Sequence, residues 1–245
     1  MSIIGGHVRV PDAQGGFGAF FSRPIGADVV PSVLVFQEIF GVNQHIREVC
    51  QRFAEAGFAA LAPDVFHRSE PGVELGYDGP GVARGKELKA ATTEVGFRSD
   101  LDASLKWLAA RRDVRPDGAR CVGFCFGGVL ALLAATDPRV VASASFYGSG
   151  VPTLTLGGTH TVLDQIGDIR GRTVLFYGGL DSSIPSSDRD AVVAAFAAAG
   201  HVVPEVHVYE GANHGFFCDR RQAYDAASAA DAWRATLRLF SEVGG

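Results

Sequence analysis

The stretch Cys121-Val122-Gly123-Phe124-Cys125-Phe126-Gly127-Gly128-Val129-Leu130-Ala131 constrains this chain more than any other. A β-rich run enters it and an alanine- and leucine-rich helical run leaves it. Between them stands Gly-x-Cys-x-Gly, the pattern of a nucleophile elbow with cysteine at its centre. A sharp strained turn exposes the central side chain, and small neighbours are needed because larger ones would collide with nearby backbone. The helix N-terminus adds partial positive charge and free amides, which favour a thiolate and any oxyanion beside it. Two other uses of a glycine-rich strand–helix turn fit poorly. A dinucleotide fingerprint needs glycine where Cys125 stands. A phosphate loop needs a following Gly-Lys-Ser/Thr, which is missing.

The surrounding pattern alternates short β-rich runs with segments of helical period. That predicts a mostly parallel sheet with helices on both faces. Core strands are expected at 32–37, 58–62, 119–123, 141–147, 173–178 and 203–209, all apolar enough for burial on both faces. The first twenty or so residues have room for an edge hairpin. Helical stripes run through Ile46, Val49, Cys50 and Phe53, through Leu101, Leu105 and Leu108, and through Trp233, Leu237 and Phe240. Residues 72–85 and 148–158 read as glycine-rich loops. With 245 residues and no repeat or linker, a single domain spanning 1–245 is expected.

Partners for the cysteine follow in the chain order nucleophile, acid, histidine used by the α/β-hydrolase fold. Asp181, in Gly178-Gly179-Leu180-Asp181, lies just past an expected strand end. Asp188 and Asp190 fit the role of helix-capping acids better. His214, in Ala212-Asn213-His214-Gly215-Phe216, lies in a loop after the next strand. His207 reads as a strand residue, and His7, His45, His67, His160 and His201 as surface or structural. Cys50, Cys121 and Cys218 read as small buried hydrophobes.

Bulk properties exclude several classes. The net charge of −5 argues against a broad nucleic-acid surface. No apolar run reaches the ~18 residues needed to span a bilayer. The opening MSIIGGHVRVPD lacks the marks of a secretory leader, so a cytoplasmic protein with reduced cysteines is expected. The cysteine spacing supports neither a zinc site nor a disulfide framework. No metal or organic cofactor is expected.

These motifs resemble the dienelactone hydrolase (carboxymethylenebutenolidase) family. The match is carried by Gln37-Glu38-Ile39-Phe40-Gly41-Val42-Asn43, Ala62-Pro63-Asp64, the cysteine elbow, Gly178-Gly179-Leu180-Asp181 and His214-Gly215-Phe216. It implies a hydrolase opening small lactones or esters through a thioester on Cys125. It also implies a role for Glu38, which contacts the thiol at rest and, once substrate displaces it, helps remove the thiol proton. The backbone amides of Ile39 and Phe126 are then the expected oxyanion donors. On the substrate side the resemblance points to Phe40, Arg84 and Cys218. Cys218 stands where relatives of the chlorocatechol pathways carry an arginine for the substrate carboxylate, and Arg84 is a loose counterpart of their second arginine. The alternatives are a broader carboxylesterase or thioesterase, a non-catalytic ligand binder on the same fold, and a thiol redox protein using Cys125.

Overall fold

The computed structural model describes residues 1–26, 29–200 and 202–243. His201, read above as surface or structural, lies outside them. The chain divides into two compact units, Met1–Arg120 and Cys121–Gly245.

In the first unit, β1 (Ile3–Val10) and β2 (Phe17–Pro24) form the antiparallel hairpin that the N-terminal residues had room for, in register from Ile3↔Pro24 to Val10↔Phe17. β3 (Val30–Phe36) pairs parallel with β4 (Ala59–Pro63), which pairs antiparallel with β2. Val33, Leu34, Val35 and Phe36 are all fully buried, as a near-continuous apolar strand requires. Helix α1 (Gln44–Glu55) begins where the Asn43 side chain accepts the Ile46 amide, and it buries Ile46, Val49, Cys50 and Phe53, the expected stripe. Helix α3 (Glu94–Ala109) buries Leu101, Leu105 and Leu108 in the same way.

Between these helices lies α2 (Gly79–Ala91), which takes in half of the expected 72–85 loop. Its glycines argue against a helix on propensity. The Asp78 side chain nevertheless caps it by accepting the Gly81 amide, and proline occupies its first turn. A Cβ on Gly85 would fall on the Ile39 carbonyl, so glycine there lets α2 lie directly on the Ile39 backbone.

Strand β5 (Val114–Phe124) starts five residues before the expected 119–123, running through Pro116 and Gly118, and delivers the chain to the second unit. There α4 (Phe126–Ala134), β6 (Val140–Phe146), β7 (Arg172–Gly178), α5 (Ser186–Ala199), β8 (Glu205–Tyr209) and α6 (Ala226–Glu242) follow. β6, β7 and β8 pair in parallel. β8 departs from the expectation of two-sided burial: Val206 and Val208 are each 39% exposed, the alternation of a strand covered on one face. Helix α6 also turns a different face inward. Ala232, Ala235, Leu239 and Phe240 are buried, whereas Trp233 and Leu237 are half-buried. Alanines allow close helix approach, and the larger neighbours cover the margin. The sheet is eight-stranded and mostly parallel, and the chain has the α/β-hydrolase fold. Among the described residues no helix is long and apolar enough to cross a membrane.

Candidate active site

Cys125 sits at the hinge between β5 and α4 with φ 54° and ψ −114°, a conformation side chains rarely adopt. Two backbone bonds hold it there: its amide donates to Phe146 O at 3.0 Å, and its carbonyl accepts the Gly128 amide at 3.0 Å. The turn is as tight as the motif implied, because a Cβ on Gly123 would fall on the Gly127 carbonyl. Cys125 is half-buried, whereas Cys50, Cys121 and Cys218 are fully buried. Phe126 begins the first turn of α4.

Asp181 and His214 reach the same place from two loops with fused backbones. The Gly179 amide donates to Tyr209 O at 2.8 Å and the Leu180 amide to Ala212 O at 2.9 Å. The glycine pair after β7 makes this possible: a Cβ on Gly178 would lie 2.5 Å from Ala212 O. The Asp181 side chain is fully buried and divides its oxygens. Oδ1 accepts the Ser183 amide at 2.8 Å, and Oδ2 faces His214 Nδ1 at 2.6 Å. The carboxylate thereby fixes the histidine tautomer, leaving its other ring nitrogen for chemistry. The Cys125 sulfur lies close enough to the imidazole to act on its charge. Burial by itself pulls the imidazole pKa down. The neighbouring Cys125 sulfur and the hydrogen bond to Asp181 more than offset this, and together push His214 up to about 10. The structure therefore brings together the thiol, the imidazole and the carboxylate singled out in the sequence.

The other candidate residues lie in different settings. Cys218 belongs to the turn after His214, its amide donating to Gly215 O at 3.0 Å. In the first unit, Glu38, Ile39 and Phe40 follow β3 and are all buried, Glu38 to 1% exposure, an unusual position for an acid. The preceding Gln37 accepts the Val65 amide through Oε1 at 3.3 Å. Arg84 lies on α2 with its guanidinium engaged: Nε and Nη2 donate to Glu70 and Nη1 to Glu87. Those two carboxylates raise its pKa further. Binding a substrate carboxylate there requires an exchange of partners.

Sequence reasoning passed over three contributors: the Ser183 amide on Asp181, the close approach at Gly178, and Tyr147, whose ring lies 5.1 Å from that of His214. The Gly178-Gly179 pair after a strand is a readable signal. The other two depend on contacts that no local pattern encodes.

The model of the Dienelactone hydrolase family matches residues 17–244. A protein of Synechocystis sp., provisionally named a carboxymethylenebutenolidase, is 38% identical, covering 95% of this chain and 94% of its own. A protein of Escherichia coli O157:H7 with the same provisional name is 34% identical, covering 100% and 89%. Among solved structures, one described provisionally as a dienelactone hydrolase of Klebsiella pneumoniae superposes with a TM-score of 0.89 at 32% identity, covering 99% of this chain and 100% of its own.

Proposed function

Since this chain belongs to the dienelactone hydrolase family, a family of hydrolases, we propose that it cleaves small lactones or esters through a thioester acyl-enzyme on Cys125. The observation that carries this reading is the placement of His214, hydrogen-bonded to Asp181 through Nδ1 and close enough to the Cys125 sulfur for that sulfur to raise its pKa. A buried structural cysteine has no need of such a partner. A redox pair with Cys121 has little to support it, since Cys121 is fully buried and its sulfur donates to Ala131 O.

In the proposed reaction the Cys125 sulfur attacks the carbonyl carbon as its proton passes to His214. Family resemblance makes the backbone amides of Phe126 and Ile39 the donors to the oxyanion. Collapse breaks the ester C–O bond, and His214 returns a proton to the departing oxygen. A stabilised enolate suits this step, because a thiolate expels a poor alkoxide slowly. Water then attacks the thioester with His214 as base, releasing the acid and restoring the thiol. Family resemblance adds Glu38 as the carboxylate that restrains the resting thiol and, on substrate binding, helps its proton on to His214. We read the matched span as one functional domain. We place it in the cytoplasm, where a thiol nucleophile and three further free cysteines remain reduced.

Rapid quenching after mixing with an activated aryl ester tests the proposal by intact-protein mass. The expected product is one acyl adduct, mapped to Cys125 and absent from Cys125→Ala, which also loses turnover. An adduct elsewhere, or turnover surviving in Cys125→Ala, overturns it. A second reading, a broader carboxylesterase, is favoured by the engagement of Arg84 with Glu70 and Glu87. It expects kcat/KM to be insensitive to a carboxylate on the substrate, where a dienelactone specialist loses activity without one.

A further inference from the structure

The residue after β6 is Tyr147, in a left-handed conformation with φ 39°. Bulky side chains rarely occupy that region, and where one does, function is a common cause. The backbone is pinned there, since the Tyr147 amide donates to Phe176 O at 2.8 Å, the last rung of the β6–β7 ladder. The side chain is fully buried. Its ring meets two rings of the histidine loop, His214 at 5.1 Å and 62° and Phe216 at 5.3 Å and 72°, both edge-to-face.

The Asp181 hydrogen bond fixes one atom of the His214 ring and does not fix the ring plane. Rotation about the line from Oδ2 to Nδ1 keeps that bond while swinging the opposite nitrogen away from Cys125. A second contact off this line is needed to stop the swing, and Tyr147 supplies one. Glycine would make the same turn without strain but would leave that side of the imidazole open. We propose that Tyr147 is a positioning residue, held in a strained turn so that its ring keeps the free nitrogen of His214 on the Cys125 sulfur. It acts through His214 rather than on the substrate, and the inference rests on the Cys125–His214–Asp181 reading above.

The test compares Tyr147→Leu, which fills similar space without a flat ring, with Tyr147→Phe, which keeps the ring. For each variant kcat, KM, melting temperature and the iodoacetamide rate of Cys125 are measured against pH. In Tyr147→Leu, kcat is expected to fall about tenfold, the scale of one lost edge-to-face contact, while KM stays within about twofold. The alkylation rate near neutrality should fall in step, because a loosened imidazole supports the thiolate less well. Tyr147→Phe should recover most of both losses. Should Tyr147→Leu fail to fold, Tyr147→Met carries the same expectation. The proposal is overturned if the ring-less variant loses melting temperature while keeping kcat per alkylatable thiol. It is equally overturned if Tyr147→Phe is as impaired as Tyr147→Leu. Cys125→Ala, run alongside, reads the nucleophile assignment separately: turnover surviving there fails that assignment whatever the Tyr147 variants do.

Discussion

Gly178 and Ala212 touch backbone to backbone, with no room between them for a single methyl group. The first belongs to the turn that carries Asp181 and the second to the loop that carries His214, so their contact sets the distance between that carboxylate and that imidazole. Gly178→Ala should force these loops apart, because a carbonyl in a hydrogen-bonded loop yields little. A displacement near 1 Å costs about a hundredfold in rate. The expected outcome is a fall in kcat of about that size with KM little changed, checked by kinetics normalised to titratable Cys125. A variant that melts earlier yet turns over normally would show that the loops adjust.

Asp181 holds the imidazolium form of His214 in place. Its carboxylate is one of the causes that push His214 up to about 10, so removing the charge moves that pKa down. In Asp181→Asn the imidazolium should be lost at lower pH than in the parent. Carbon-13 histidine NMR follows this directly, and kcat should drop by about two orders of magnitude or more. An unmoved His214 midpoint would separate Asp181 from the histidine's electrostatics.

Thiol reactivity should be confined to one site. Burial pushes the thiols of Cys50 and Cys121 upward in pKa, and Cys218 is equally inaccessible. Native protein treated with iodoacetamide should gain one adduct, on Cys125, whereas unfolded protein gains four, one for each cysteine in the chain. Rapid native labelling at a second cysteine contradicts this assignment.

Glu38→Gln distinguishes a carboxylate that restrains the thiol from one that only fills space. If Glu38 acts as the family resemblance implies, the variant should alkylate faster at Cys125 near neutrality while turnover falls. Parallel measurement of alkylation, kcat and melting temperature decides the matter. Unchanged alkylation with normal kcat removes Glu38 from the reaction.

What could be read from the chain followed from how local each feature is. The elbow is legible because its glycines and cysteine are adjacent in sequence, and Asp181 and His214 because each closely follows a strand. Helix α2 was hidden because Gly85 serves a contact with Ile39, far away in sequence, at the expense of helix propensity. The start of β5 was hidden by Pro116 and Gly118, residues that ordinarily mark turns. On α6 the large residues drew attention to Trp233 and Leu237, whereas the inward face is built on Ala232 and Ala235. Tyr147 left no trace, since neither its left-handed backbone nor its neighbour His214 is encoded nearby.

The crowding at Gly123 bears on how this scaffold can be diversified. Any side chain at that position lands on the carbonyl of residue 127, so a library that randomises the whole elbow is populated mainly by unfolded members. Position 125 already carries a side chain on its strained backbone, and serine matches cysteine in shape. New reactivity is therefore reached by exchanging the atom at the tip and leaving its frame untouched, with variation directed to the surrounding loops.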